Sequence, residues 1–300
     1  MKNRKKMLVL YAIIILLIIS CTKKEIESKE DLVIATKPFT EQYIIGEILK
    51  ILIEENTDLN VKLKKGDIRD TIVIHQELVE GKIDIYPEYT STAWIFILKK
   101  EPIKNADEIY NNVRDMYEEK FDAKWLGLYG FNNSYSLAMK RSLADNLSIN
   151  TYSDLALKSD KLIFGAEHDF YDRDDGFDKL KELYNFNFKE QIAMDIKDKY
   201  DSLRDDKSQV IDVFTTDSNL KDDDIKVLKD DKYYFSPYHC GTVIRNETLE
   251  KYPELEYILK KLNYVISERE MINMNYKVEK ENRNEVDVAR EFLKTKQLIN

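Results

Sequence analysis

Apolar residues in the first third of the chain follow two different periods. Short apolar runs at residues 32–35, 61–63 and 83–86 predict β-strands. Between them, apolar positions recur every three or four residues, which predicts amphipathic helices over 40–53 and 69–80. This strand–helix–strand order is typical of a parallel α/β sheet.

The same alternation continues to the end of the chain. Further helices are predicted at residues 106–121, 177–184, 200–207, 253–266 and 285–296, and further strands at 124–128, 134–140, 162–166, 191–196, 210–215, within 226–235 and at 239–245. Residues 151–154 (Thr-Tyr-Ser-Asp) fit a capping box. Two groups of strands result, and the glycine-containing segment 127–130 is a natural place for the chain to cross between them.

The most informative stretch is residues 81–94, Gly-Lys-Ile-Asp-Ile-Tyr-Pro-Glu-Tyr-Thr-Ser-Thr-Ala-Trp. We expect Pro87 to end the strand because proline cannot donate to a sheet ladder. The three hydroxyl residues after Tyr89 are expected to cap the helix that follows. In open α/β sheets, ligands bind at the carboxyl ends of strands, so Tyr89 and Thr92 are candidate binding residues.

Four segments, taken in order, resemble the glycine betaine/carnitine/choline-binding proteins of osmoprotectant ABC importers. They are residues 83–93 of the stretch above, 35–47 (Ala-Thr-Lys-Pro-Phe-Thr-Glu-Gln-Tyr-Ile-Ile-Gly-Glu), 129–135 (Tyr-Gly-Phe-Asn-Asn-Ser-Tyr) and 235–238 (Phe-Ser-Pro-Tyr). Four motifs in sequence are far more specific than one. The resemblance covers nearly all of the chain from about residue 32.

The resemblance implies an α/β, two-lobe fold of the type II periplasmic-binding-protein class, with the ligand cleft between the lobes. Residues 31–128 and 236–300 are expected to form lobe I, and residues 129–235 lobe II. Periodicity alone indicates α/β architecture with at least two groups of strands.

In the family that these segments resemble, an aromatic cage binds the cationic head of the ligand. A trimethylammonium group has no N–H to donate, so aromatic faces recognise it by cation–π attraction and dispersion. The resemblance places three cage tyrosines at Tyr89, Tyr135 and Tyr238. A fourth ring falls on Phe214, which lacks a hydroxyl, with Tyr200 as the alternative.

The resemblance also implies a place for a ligand carboxylate. Arg173 corresponds to the arginine that holds this group, and guanidinium can do so with two parallel hydrogen bonds. Lys37 and Thr92 correspond to lobe I residues that face the same end of the ligand. We therefore favour a carboxylate-bearing ligand over choline alone.

Residues 1–20 have the layout of a secretory signal, with a basic start and an apolar run over 7–19. That run is short for a membrane span of roughly 20 residues. It leads into Cys21 in a sequence that resembles a bacterial lipobox, which implies a lipidated N-terminus followed by a tether over 21–30. The alternative is an uncleaved membrane anchor. In both cases we expect an extracytoplasmic protein held at the cell membrane.

Charge and the remaining residues exclude other functions. The formal net charge is −9, and removal of residues 1–20 leaves 43 basic against 56 acidic residues, −13. Such an acidic body argues against nucleic acid as a partner. We expect Cys240 to be a buried thiol and His75 a structural helix residue. The three histidines lack zinc-protease spacing and the acidic segment 167–175 does not fit an EF-hand, so we expect no metal, no cofactor and no enzyme activity.

The sequence thus predicts the lipid-anchored solute-binding component of an ABC importer for glycine betaine, carnitine or choline. Its partners would be a membrane permease and, on the cytoplasmic side, an ATPase. A second hypothesis keeps the fold but assigns an amino acid or another cationic metabolite as ligand. A third is an exported enzyme that uses the acidic segment near Arg173.

Overall fold

The computed structural model describes residues 31–66, 71–173 and 176–300. Within these ranges ten strands form two five-stranded sheets. The strands are β1 (Asp31–Thr36), β2 (Asn60–Lys65), β3 (Ile85–Tyr89), β4 (Ala123–Asn132), β5 (Tyr135–Lys140), β6 (Ile163–Glu167), β7 (Glu190–Met194), β8 (Val210–Phe214), β9 (Ile225–Val227) and β10 (His239–Arg245).

The helices of the described ranges connect and cover these sheets. They are α1 (Thr40–Asn56), α2 (Thr71–Val79), α3 (Thr90–Thr92, continued by a π-helical turn, Ala93–Ile97), α4 (Ala106–Phe121), α5 (Arg141–Asn146), α6 (Tyr152–Ala156), α7 (His168–Asp172), α8 (Phe177–Tyr184), α9 (Lys199–Arg204), α10 (Asn246–Lys251), α11 (Glu254–Lys260), α12 (Glu268–Glu279) and α13 (Glu285–Thr295). None of them combines the length and apolar content needed to cross a bilayer.

The first sheet has the strand order β2-β1-β3-β10-β4. Strands β1 and β3 are parallel, whereas β10 is antiparallel to both of its neighbours. The second sheet has the order β7-β6-β8-β5-β9, with β6 parallel to β7 and β8, and β5 antiparallel to β8 and β9. The predicted α/β class with two groups of strands is therefore confirmed.

Each sheet separates two apolar cores. In β3, Ile85 and Tyr89 pack into the core that contains α1 and the last helices, while Tyr86 packs into the opposite core with α2 and α4. The two-residue period of a strand explains this division. In β5, Leu137 and Ala138 likewise point to different cores of the second sheet.

Most predicted elements are confirmed, including α4, β10 and the capping box at Thr151 and Asp154. The predicted end of a strand at Pro87 is wrong, because β3 continues through it to Tyr89 opposite β10. Ile85 is level with Ile34, so Pro87 is level with Thr36, where β1 ends. Its missing N–H therefore costs little.

The predicted strand end at residue 128 is also wrong. Strand β4 runs on to Asn132 and stays paired with β10. Gly127 and Gly130 have φ values of 122° and 123°, which accommodate the register shifts along β10. The strands of the first sheet thus lie at residues 31–132 and 239–245, and the lobe boundaries at 128/129 and 235/236 stay a prediction.

Two further elements differ from the pattern. Within 226–235 only β9 is a strand, and the helix predicted over 253–266 is the shorter α11. Helix α12 was missed, although Ser267 and Glu270 form a capping box that the Ser-x-x-Glu spacing signals. The predicted signal peptide and tether, residues 1–30 with Cys21, lie outside the described residues.

His75 is a structural residue in the core that the first sheet forms with α2 and α4. It is 7% exposed, its Nδ1 lies 3.1 Å from the Tyr86 hydroxyl, and its ring meets that of Phe121 edge-on at 4.3 Å between centroids. Burial lowers the pKa of His75 from 6.5 to about 4. Cys240 is fully buried as well, and burial raises the pKa of its thiol.

His75 predicts a pH dependence of stability. The unfolded chain binds a proton at this residue below its ordinary pKa, whereas the native state does so only near 4. Stability that is present above pH 6.5 is therefore lost as the pH falls to about 4, by on the order of 3 kcal/mol. We expect His75→Gln to lack this loss in urea unfolding curves measured across that interval. The control, His168→Gln at an exposed histidine, should follow the unaltered protein, and a His75→Gln curve that also follows it would contradict the assignment.

Candidate ligand-binding site

A cavity of about 210 Å³ lies where the ends of strands from both sheets meet. Six aromatic rings, one arginine, one threonine and one asparagine line it: Phe39, Tyr89, Phe96, Tyr135, Phe214, Tyr238, Arg173, Thr92 and Asn133. Among the described residues, no Asp or Glu lines this cavity. Of the seven residues predicted for ligand binding, it brings together all but Lys37.

The first sheet supplies three of the rings at strand ends. Tyr89 is the last residue of β3, Phe39 lies between β1 and α1, and Tyr238 immediately precedes β10. Cys240 of β10 is level with Tyr89, which brings Tyr238 to the same end of the sheet. Phe39 and Tyr89 stack with ring centroids 6.3 Å apart. Aromatic faces from distant parts of the chain thus converge on one wall.

The hydroxyls after Tyr89 have a different role from the predicted one. No side chain caps α3; instead Thr90 Oγ1 and Ser91 Oγ donate to the Pro237 carbonyl at 2.9 and 2.7 Å. The capping prediction is therefore wrong, because this partly buried carbonyl accepts both hydroxyls. These two bonds fix the segment that carries Tyr238 against the end of β3.

The second sheet supplies the opposite wall. Tyr135 is the first residue of β5 and Phe214 the last of β8, and the two are directly paired, with ring centroids 4.4 Å apart. Arg173 follows α7 and places its guanidinium carbon 5.4 Å from the centroid of the Tyr135 ring. A cation and two rings therefore form one surface of the cavity.

The two segments that cross between the sheets are bonded to each other. The Asn133 N–H donates to the Tyr238 carbonyl at 3.1 Å, and the Tyr238 N–H donates to Asn132 Oδ1 at 2.6 Å. Ser134 Oγ donates to the Ser236 carbonyl at 3.2 Å. The cavity thus lies beside the two hydrogen-bonded connections that join the sheets.

Lys37 does not line this cavity. Its ammonium is paired with the carboxylate of Glu88, which is fully buried, and lies 5.2 Å from the Tyr89 ring centroid. Glu88 also accepts the Tyr89 N–H at 2.7 Å. In this arrangement Lys37 supports Tyr89 through Glu88 and through its contact with the Tyr89 ring, without lining the cavity.

For the predicted fourth ring, Phe214 and not Tyr200 lines the cavity. Tyr200 is 5% exposed, donates its hydroxyl to Asp217 at 2.7 Å and does not line the cavity. The ammonium of Lys199, which is buried and paired with Asp212, lies 5.5 Å from the centroid of the Phe214 ring. We therefore assign the Tyr200 hydroxyl and the Lys199 ammonium to the residues that support Phe214.

Sequence reasoning missed three lining residues, Phe39, Phe96 and Asn133. Phe39 and Phe96 are 37% and 41% exposed, which is unusual for large rings. Phe39 and Asn133 lie inside two of the segments that carry the family resemblance, so these segments could have indicated them as lining residues. Phe96 lies in a π-helical turn, and the sequence pattern does not indicate that Phe96 lines a cavity.

Two buried carboxylates adjoin the cavity. Burial raises the pKa of Glu41, while hydrogen bonds from the side chains of Tyr89, Thr216, Asn133 and Asn275 oppose the shift. Burial also raises the pKa of Glu167, and nearby Lys199 opposes that shift.

Burial raises the pKa of Tyr135 well above its usual range, so its ring stays neutral. Among the described residues, no group of three His, Cys, Asp or Glu has a metal-binding arrangement.

A cleft between two α/β lobes, lined by aromatic rings and one cation, defines the class of two-lobe solute-binding proteins. The chain belongs to the OpuAC family, the substrate-binding domain of ABC-type glycine betaine transport systems, which matches residues 30–295. Membership of this family gives the chain a substrate-binding role rather than an enzymatic one.

Curated relatives differ in the solute they are named for. The chain is 44% identical over 271 residues to the ergothioneine transport permease/ergothioneine binding protein EgtU of Helicobacter pylori (strain G27), which covers 90% of this chain. The chain spans only 48% of that relative's length. It is 32% identical over 298 residues to the carnitine transport binding protein OpuCC of Listeria monocytogenes serotype 1/2a (strain 10403S), covering 97% of this chain and 96% of that protein.

A solved structure agrees with the fold. The crystal structure described as a glycine betaine/carnitine/choline ABC transporter superposes with a TM-score of 0.85 at 31% identity, covering 90% of this chain and 100% of that one. Apo YehZ from Escherichia coli superposes with a TM-score of 0.77 at 21% identity, covering 90% and 99%. The two-lobe architecture is thereby shown.

The Lys37–Glu88 pair generates a stability prediction. Lys37→Met leaves the buried Glu88 carboxylate without its cation, so we expect a loss of about 3–5 kcal/mol in the free energy of unfolding by urea. The double variant Lys37→Met with Glu88→Gln removes the buried charge and should recover most of that loss. Lys124→Met, which breaks the half-exposed pair with Glu256, is the control and should cost less than about 1 kcal/mol. Equal losses in Lys37→Met and Lys124→Met would contradict a supporting role for Lys37.

Proposed function

We propose that this protein binds a betaine, a solute that carries both a trimethylammonium group and a carboxylate. The observation that carries the proposal is the composition of the 210 Å³ cavity: six aromatic rings and Arg173, without an Asp or Glu in its described lining. A primary ammonium needs hydrogen-bond acceptors, whereas a trimethylammonium needs a polarisable, weakly negative surface. The lining meets the second requirement, which favours a quaternary ammonium over an amino acid.

The aromatic rings can supply much of the binding free energy that a micromolar affinity requires. A desolvated cation–π contact contributes about 0.5–2 kcal/mol. Micromolar affinity requires about 8 kcal/mol, so four or five such contacts account for a large part of it. We assign Tyr89, Tyr135, Phe214 and Tyr238 to the cage, as the sequence predicted, and add Phe39.

The carboxylate of the ligand is assigned to Arg173, with Thr92 as a hydroxyl donor on the facing wall. Arginine suits this role because its fixed fork of donors matches a carboxylate. Lys37 contributes indirectly in this assignment, through Glu88 and the Tyr89 ring.

Two betaine classes are candidates. Glycine betaine and carnitine fit the cage and Arg173 directly. Ergothioneine, a histidine-derived betaine, is favoured by the higher identity to the Helicobacter pylori relative, 44% against 32% for the carnitine-named relative. All three present the same trimethylammonium and carboxylate, so the cage assignment holds for each.

Removing one ring and removing the arginine should have different effects on affinity, because the rings bind the trimethylammonium group and the arginine binds the carboxylate. We expect Tyr135→Ala to weaken every betaine and choline about tenfold or more in calorimetric titration, because a desolvated cation–π contact is lost. Arg173→Ala should weaken glycine betaine and carnitine strongly but leave choline, which has no carboxylate, within about threefold.

The control is Tyr257→Ala, at a tyrosine that is 73% exposed and remote from the cavity. It should bind all ligands as the unaltered chain does. Equal affinity for glycine betaine in Tyr135→Ala, Tyr238→Ala and the unaltered chain would overturn the cage. Proline bound more tightly than any quaternary ammonium would favour the amino-acid alternative.

We further propose that Cys21 is lipidated and anchors the protein at the outer face of the cell membrane. The support is the basic and apolar layout of residues 1–20 before Cys21. In a bacterial host, Cys21→Ser should lose incorporation of labelled fatty acid and shift the protein from the membrane fraction. Fatty-acid labelling that persists in Cys21→Ser would contradict this site.

A further inference from the structure

A buried carboxylate is hydrogen-bonded to one ring of the aromatic cavity. Glu41, in the first turn of α1, is 3% exposed, and its Oε1 accepts the Tyr89 hydroxyl at 2.6 Å. Tyr89 lines the 210 Å³ cavity, whereas Glu41 is not among its lining residues. The Tyr89 hydroxyl therefore links an acidic group outside the cavity to an aromatic surface inside it.

The hydrogen-bond partners of Glu41 are neutral. Its Oε1 also accepts Asn133 Nδ2 at 3.0 Å, and the side chains of Thr216 and Asn275 favour the ionised carboxylate as well. In the part of the chain that the structure describes, no lysine or arginine forms an ion pair with Glu41. A buried charge without an opposite charge is costly, so a cation bound nearby would stabilise the ionised form.

The charges around the cavity give it a negative and a positive end. On the side of the first sheet, Lys37 and Glu88 form an ion pair of no net charge, which leaves Glu41 as the negative group bonded to that wall. On the facing wall, Arg173 places its guanidinium carbon 5.4 Å from the centroid of the Tyr135 ring. A solute with a cation at one end and a carboxylate at the other meets the opposite charge at each end.

We propose that Glu41 is a positioning residue that supplies the negative charge for the trimethylammonium group and acts on it through Tyr89. The inference rests on the proposed function, because it requires a cage that holds a quaternary ammonium. An ionised carboxylate that accepts the phenolic hydrogen makes the Tyr89 ring more electron-rich, and a cation–π contact is attractive through the negative face of the ring. The low dielectric of a buried site adds direct attraction between carboxylate and cation.

The charge of the ligand distinguishes this role from simple packing of Tyr89. Choline and dimethylbutanol, its neutral analogue in which a carbon atom replaces the nitrogen, have the same shape. Loss of a purely structural residue would weaken both compounds alike. Loss of a negative charge that acts on the ligand should weaken choline and spare the neutral alcohol.

The first experiment is a calorimetric titration of the full chain, purified in detergent, with choline and glycine betaine, and with dimethylbutanol as a competitor of choline. Glu41→Gln keeps the size of the side chain and an oxygen that can accept the Tyr89 hydroxyl. We expect it to weaken choline and glycine betaine about tenfold and dimethylbutanol by less than about twofold.

The matched control is Glu47→Gln on the same helix. Glu47 is 6% exposed, pairs with Lys65 at 2.7 Å and is not among the residues that line the aromatic cavity. Its replacement removes a buried negative charge that does not contact a cage ring. We expect each of the three affinities to change by less than about twofold.

A pH profile gives a second measurement that packing alone would not alter. Burial raises the pKa of Glu41 above its ordinary value of 4.5, and protonation removes the charge. The choline affinity of the unaltered chain should therefore fall as the pH decreases from about 7 to about 5, and the Glu41→Gln profile should lack this component.

Other ionisable groups near Glu41 are common to both proteins. The Tyr89 phenol and the Cys240 thiol face it from β3 and β10, and burial raises both pKa values, so both groups stay neutral in this interval. The charged groups around them are the carboxylates of Asp217 and Glu279, which line a neighbouring cavity with Glu41, the Lys37–Glu88 pair beside Tyr89, and Glu167 near Tyr135. Their contribution cancels in the difference between the two profiles.

Tyr89→Phe is the second variant, since it keeps the ring but removes the hydroxyl that bonds Glu41. It should weaken choline more than dimethylbutanol. It should also shift the loss of choline affinity to higher pH, because the hydrogen bond that favours the ionised carboxylate is gone.

Equal losses of choline and dimethylbutanol in both variants would overturn the role of Glu41 while leaving the cage intact. A Glu41→Gln pH profile that coincides with that of the unaltered chain would do the same. Binding of neither choline nor glycine betaine by folded, unaltered chain would overturn the proposed function itself.

Discussion

Strand β10 lies in the middle of the first sheet, and the rest of the architecture depends on its position there. It is antiparallel to both β3 and β4, and it is the last strand of the chain. All five strands of the second sheet therefore lie, along the chain, between β4 and β10 of the first sheet. This requires two crossing segments, and their mutual hydrogen bonds at Asn133 and Tyr238 follow from it. The same insertion places Tyr238 at the end of the sheet where Tyr89 lies.

The site is built on strand ends supported by buried polar groups. Tyr89 is held by Glu41 through its hydroxyl and by Glu88 through its backbone, and Lys37 neutralises Glu88. Phe214 is backed by Lys199, which is itself paired with Asp212. Charges buried in this way require complete pairing. They hold the rings in place, so little ordering of the cage remains for the ligand to induce.

The aromatic cavity determines which ligand chemistry suits the site. It offers ring faces and a single cation, which suits a bulky cation joined to a carboxylate. The two relatives are named for different solutes, ergothioneine and carnitine, so their names do not agree on one ligand.

The sequence by itself determined the α/β class and most elements, since burial periodicity is a local property. The resemblance of four segments to a known family named six of the residues that line the cavity. It did not determine where Pro87 lies in β3, because that depends on where the neighbouring β1 ends. The tertiary structure also decided that Thr90 and Ser91 bind a carbonyl 146 to 147 residues away, and that Lys37 faces Glu88. It alone placed the buried Glu41 carboxylate against the Tyr89 hydroxyl, 48 residues away along the chain. The partner of a polar group is chosen by the packing of distant segments, and no local pattern records that choice.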